Sequence, residues 1–150
     1  MKWTSNRSVI LSSILVTLFT TVYLIVVAAC PMVVTQYLSI SAQRNSSNAQ
    51  FFIYSIYICA VPIGIILWKL MQLLRNISKA DIFTTQNINC LRWISWMCFA
   101  VTFISIISSL YYVLWLIIGG CMAFVGMLLR VVKNVFERAK EIKEENDYTI

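Results

Sequence analysis

Cys30, Cys59, Cys90, Cys98 and Cys121 are the side chains here best suited to metal ligation or nucleophilic chemistry, and histidine, their usual partner, is absent. An odd number of cysteines, without C-x-x-C spacing and set in apolar runs, points to neither a disulfide framework nor a zinc site. They read as small hydrophobes. Without histidine, no ordinary serine or cysteine triad can be assembled. Carboxylates are placed just as unhelpfully for catalysis. No Asp or Glu lies between Met1 and Lys79, or between Ile82 and Phe136. Proton-coupled transport usually depends on intramembrane ionisable groups, so a four-helix multidrug exporter built around an embedded glutamate does not fit. The expectation is a protein that is not an enzyme and carries no metal or cofactor.

Three further patterns carry weaker chemical signals. Val27-Ala28-Ala29-Cys30 resembles a bacterial lipobox, in which the cysteine is lipidated. A signal core spans about 7–15 residues and gives way to polar sequence, whereas apolar character here continues through Met32, Val33 and Val34. An uncleaved first span is therefore expected. Pro31 and Pro62 each remove one helical hydrogen bond, and Pro62 with Gly64 predicts a kink. Hydroxyls recur at helical spacing, Ser13, Thr17 and Thr20 in one run and Thr102, Ser105 and Ser109 in another, while Gly119, Ala123 and Gly126 form a small-residue face. Broken helices and polar stripes line pathways in transporters, but small faces serve more often for close helix packing.

These groups must be held by elements suited to lipid. The chain has 150 residues, 60% hydrophobic and 12% charged, against soluble norms of about 45–50% and about 25%. A globule this small exposes too much surface to hide such a composition from water. Apolar runs occupy Val9 to Val34, Phe51 to Leu74 and Leu91 to Leu129. The third would form a rod of roughly 58 Å, nearly twice the hydrocarbon thickness, so it must be a hairpin. A break at Gly119-Gly120 leaves too short a second arm, which places the turn near Ser108 to Tyr111. The expected fold is an all-α membrane protein with four transmembrane helices, at about 9–34, 51–74, 88–108 and 111–145, forming one domain. With both termini cytoplasmic, all of the 12 Lys and Arg except Arg44 lie on the inner side, as the positive-inside rule requires. Trp3, Trp68, Trp93 and Trp96 then mark the inner interface, and Tyr37, Tyr54, Tyr57, Tyr111 and Tyr112 lie toward the outer one. The net charge of +6 is explained by anionic headgroups of the lipid bilayer and calls for no direct nucleic acid contact.

Two segments stand outside the lipid, a loop over about 75–87 and everything after Arg130. In the loop, Thr84 is the expected N-cap of the third helix, with Phe83 and Ile88 as a hydrophobic staple and Asp81 and Asn87 nearby. In the second segment, Val132, Val135, Phe136, Ala139 and Ile142 recur at helical spacing among Lys and Glu residues. The fourth helix should therefore extend into the cytosol. Acids at its end oppose the helix dipole, so fraying is expected near Glu145, with Asn146 to Ile150 extended.

Asn76-Ile77-Ser78-Lys79-Ala80-Asp81-Ile82-Phe83-Thr84, continuing through Asn87 to Leu91-Arg92, resembles the loop and helix start of a bacterial membrane family, domain of unknown function 2975. The ending resembles it more closely: Phe136, Ala139, then Glu144-Glu145-Asn146-Asp147-Tyr148-Thr149-Ile150, with Ala139 and Tyr148 where the family usually has Gly and Leu. The resemblance implies a four-span protein of the bacterial cell membrane without an assigned activity. Such proteins are often encoded beside a small helix-turn-helix regulator of the Cro/repressor type, which implies a partner. Candidate partner-binding residues are Asp81, Phe83, Thr84 and Asn87 in the loop and Glu144, Glu145, Asn146, Asp147, Thr149 and Ile150 in the tail. The alternative is an immunity or permeation protein working through Pro31, Pro62, Gly64, Ser105, Gly119 and Ala123. Assembly into a homo-oligomer is compatible with either.

Overall fold

A computed structural model of the chain describes residues 2–40, 46–77 and 84–147, all of them helical or in short turns. Four helices follow in order: α1 (Lys2–Ile40), α2 (Ser46–Ile77), α3 (Thr85–Ser108) and α4 (Leu114–Asp147). Each is long and apolar enough to cross a membrane. Both prolines lie inside continuous helices, Pro31 in α1 and Pro62 in α2. Each costs one backbone bond in a segment whose remaining ladder is intact.

The helices extend beyond the apolar runs at several ends. Polar residues flanking α1 and α2 keep helical geometry because chain outside the hydrocarbon can satisfy its termini with water. The break between α3 and α4 falls at 109–113, among the serines, without Gly, Pro or Asn. Short i to i+3 bonds close it, Leu110 N to the Ile107 carbonyl at 3.3 Å and Tyr111 N to that of Ser108 at 3.1 Å. α4 does not fray at Glu145. It continues through Asn146 to Asp147, with the Lys140–Glu144 pair at 3.3 Å in i,i+4 register on the preceding turn.

The helices pack in chain order, α1 on α2, α2 on α3 and α3 on α4, with no closer pairing of α1 with α3 or α4 among the described residues. The arrangement is an open row. α3 is the most enclosed helix and α1 the least. Cys59, Val101 and Trp115 form one core cluster and Leu73, Cys90 and Leu91 another. Phe52 packs edge-on against Tyr112 and Trp115 at 5.0 and 5.9 Å, and Phe51 stacks on Tyr111 at 5.1 Å, so aromatics tie one end of the row. An apolar slot of about 500 Å³ opens there between α1, α2 and α4, lined by Val34, Phe52, Ile56, Trp115 and Ile118.

Candidate functional site

At the opposite end, the close of α2, the start of α3 and the extension of α4 converge. Thr84 adopts extended backbone angles (φ −98°, ψ 150°) and its hydroxyl accepts from the Asn87 N–H, as an N-cap does. The cap starts α3 at Thr85, earlier than the apolar run alone suggests. Leu73, Cys90 and Leu91 pack with Ile77, Leu129 and Phe136 across the three helices. Outside that cluster runs a polar brace. Arg92 reaches Glu137 at 3.1 Å, Lys133 reaches the same carboxylate at 2.7 Å, and the Lys140 ammonium donates to the Thr85 hydroxyl at 2.8 Å. The Lys133 ammonium, and after it the Arg92 guanidinium, hold the Glu137 carboxyl below its ordinary pKa. α4 is thereby fixed to α3 along its first turns beyond the hydrocarbon.

The loop and tail residues singled out from the sequence do not form one surface. Thr84 is half-buried and Asn87 is fully enclosed, so Asn87 offers no face to a partner and belongs to the packing beneath the cap. Glu144, Glu145 and Asn146 are exposed on helix, and Asp147 closes α4. Asp81, Phe83, Thr149 and Ile150 lie outside the described residues, whereas Ile88, the other member of the staple, is buried in the first turn of α3. The apolar set on the extension is split between two sides. Phe136 and Ala139 are partly covered, whereas Val135 and Ile142 are exposed.

Apart from Pro31, the residues that suggested a pathway sit in helix seams. Gly64 lies against Tyr23: a Cβ there would meet the Tyr23 hydroxyl at 3.2 Å, and that hydroxyl donates to the Ala60 carbonyl oxygen at 2.7 Å. Pro62, two residues before Gly64, is buried, and Pro31 is exposed on α1. On the α3–α4 seam, a Cβ at Gly119 would stand 3.2 Å from the Ser105 Cβ, and one at Gly126 3.1 Å from the Cys98 Cβ. Ala123, between them, is partly buried. The Thr102 hydroxyl lies 3.0 Å from the Cys98 carbonyl oxygen and 3.2 Å from that of Gly119. Ser108 donates to Ser55, and Ser55 to the Phe51 carbonyl, both at 2.9 Å. On α1 the hydroxyls of Thr17 and Thr20 turn back to the Ser13 and Val16 carbonyls. These polar groups serve their own helix or its neighbour. Cys30 is buried within α1 as a free thiol.

Tyr23 and Arg130 are missing from the sequence-derived set. The Arg130 guanidinium lies 4.8 Å from the Trp96 ring centre and 5.7 Å from that of Phe99. Its place at the end of an apolar run signalled an interfacial cation, but not that it would turn back onto aromatic faces.

No curated protein and no solved structure matches the chain. A family model described as "Protein of unknown function (DUF2975)" matches residues 35–150, from the end of α1 through α2, α3 and α4. This multi-pass membrane protein thus belongs to the DUF2975 family.

Proposed function

We propose that the chain is a non-enzymatic protein of the bacterial cell membrane, with both termini cytoplasmic, that holds a small helix-turn-helix regulator on the α4 extension. One observation carries this reading. Val131, Val135 and Ile142 are 57%, 59% and 60% exposed on the side of α4 opposite Lys133, Glu137 and Lys140. The apolar stretch Leu114 to Leu129 is roughly 24 Å long, and the helix continues for roughly 27 Å more. With a core about 30 Å thick, Val135 and Ile142 therefore stand at or beyond the hydrocarbon edge, where exposed hydrophobes at helical spacing favour a partner groove. Exposed Glu141 and Glu145 border it on one side, with exposed Arg138 between them and the apolar residues. Acids beside an apolar line suit a basic DNA-binding surface, compete with DNA phosphates and lose strength with salt. The brace to α3 keeps the extension rigid, which lowers the ordering cost of binding. The tail beyond Asp147 would add to the same contact.

The test is affinity capture of the full chain from gentle detergent in its native host. A DNA-binding regulator should accompany the wild type and fall away in Val135→Lys with Ile142→Lys, and in a variant lacking residues 144–150. Retention of the regulator by both variants would defeat the proposal. A phenotype lost with Pro62 and Ser105 substitutions while the extension is dispensable would favour work inside the membrane.

A further inference from the structure

A groove of about 740 Å³ runs along the outer face of α3, lined by Arg92, Trp93, Trp96, Met97, Ala100 and Phe103, with Phe99 beside them. From Arg92 to Phe103 it extends roughly 17 Å, about half the hydrocarbon thickness, so it reaches from the membrane edge to the middle of the bilayer. Its floor is apolar and its upper rim carries Trp93 and Trp96, each about half exposed. Tryptophan at this depth places its ring at headgroup level.

Arg130 makes the groove more than an unpartnered apolar face. It follows the apolar stretch of α4, and its guanidinium lies over Trp96 and Phe99, two residues of the groove wall. An arginine at a span end commonly extends toward water. This one is turned toward the membrane and onto aromatic faces. Among the described residues no carboxylate lies within ion-pair distance of it, whereas Arg92 has Glu137. A cation held at the hydrocarbon edge needs an anion that comes from the bilayer, because aromatic faces only partly offset its desolvation.

We propose that this groove is a binding site for one anionic glycerophospholipid, its phosphate held by Arg130 and an acyl chain lying along Met97, Ala100 and Phe103. Guanidinium groups suit the phosphate because they present several donors in one plane. A zwitterionic headgroup would bring its own ammonium toward Arg130, which disfavours it. The site faces lipid and is independent of any partner on the α4 extension.

The full chain in nanodiscs of phosphatidylcholine, with a minor share of phosphatidylglycerol brominated in its acyl chains, tests this through quenching of tryptophan fluorescence. Brominated phosphatidylcholine is the comparison. Phosphatidylglycerol should be preferred by about fivefold, the contribution of one juxtamembrane cation. Arg130→Gln should bring the ratio to about one, and Arg130→Lys should keep only part of it, because an ammonium keeps the charge but loses the planar donor set. Arg75→Gln, removing a cation from the end of α2, should leave the preference in place. Ala100→Phe, which fills the groove without changing charge, should reduce it. Trp96→Phe should remove part of the quenched signal. An unchanged ratio in Arg130→Gln, an equal loss in Arg75→Gln, or full quenching in Trp96→Phe would each overturn the site.

Discussion

A methyl group added at Gly126 would stand 3.1 Å from the Cys98 Cβ and 3.4 Å from the Ser95 carbonyl oxygen, while one added at Gly120 would meet nothing within 4 Å. The same substitution should therefore have opposite effects six residues apart. Gly126→Ala forces α3 and α4 apart and should destabilise by about 1–3 kcal/mol, as overpacking does. Gly120→Ala gains helix propensity and should stabilise by about 0.5–1 kcal/mol. Denaturant titration of the purified chain in one detergent reads both, and equal effects would refute the seam. The stripe Gly119, Ala123 and Gly126 was legible because small residues at helical spacing leave a flat face. What faces it was not, since Ser105 and Cys98 reach that face through the hairpin. Gly64 shows the same limit. Beside Pro62 it signals a kink, yet its lack of a side chain makes room for the Tyr23 hydroxyl from another helix.

Within α4, the Glu137 carboxylate joins the extension to α3. Glu137 receives Lys133 from its own helix and Arg92 from α3, and both cations lower its carboxyl pKa. A carboxyl depressed in the folded state contributes stability above its unfolded pKa, and that stability fades as pH falls through the folded value. The extension should loosen in acid below the ordinary carboxylate range, read as faster amide hydrogen exchange in residues 133–147. Glu137→Gln should exchange faster at neutral pH and lose most of that acid dependence, and high salt should mimic it weakly because the pair is largely exposed. An acid response identical in wild type and Glu137→Gln would show that other groups carry it. Alternating charges after Arg130 made the extension legible, and Thr84 made the start of α3 legible. The end of α4 misled because a dipole effect of about 0.3–1 kcal/mol on exposed acids is too small by itself to end a helix whose residues through Glu145 are good helix formers.

For the molecule as a whole, span number followed from the lengths of apolar runs, but the open row could not be read from them. In hydrocarbon every helix face is already compatible with the solvent, so apolar periodicity does not report which neighbour a face meets. Specific polar links and small residues decide it instead, and those act between residues far apart in sequence. α1 shows the consequence. Among the described residues it packs against α2 alone, and most of its large side chains from Ile10 to Val33 are exposed. Its link through Tyr23 to the Ala60 carbonyl is part-buried, where such a bond contributes about 0.6 kcal/mol on average and up to about 1.7 kcal/mol. Tyr23→Phe should therefore loosen α1 without unfolding the rest. Cysteine pairs across α1–α2, placed on exposed neighbours of Tyr23 and Gly64, should cross-link more slowly in Tyr23→Phe. A pair across α3–α4 near Thr102 and Gly119 should be unaffected. Equal slowing of both pairs would mean that the four helices form one cooperative unit, whereas slowing confined to α1 identifies it as the separable member of the row.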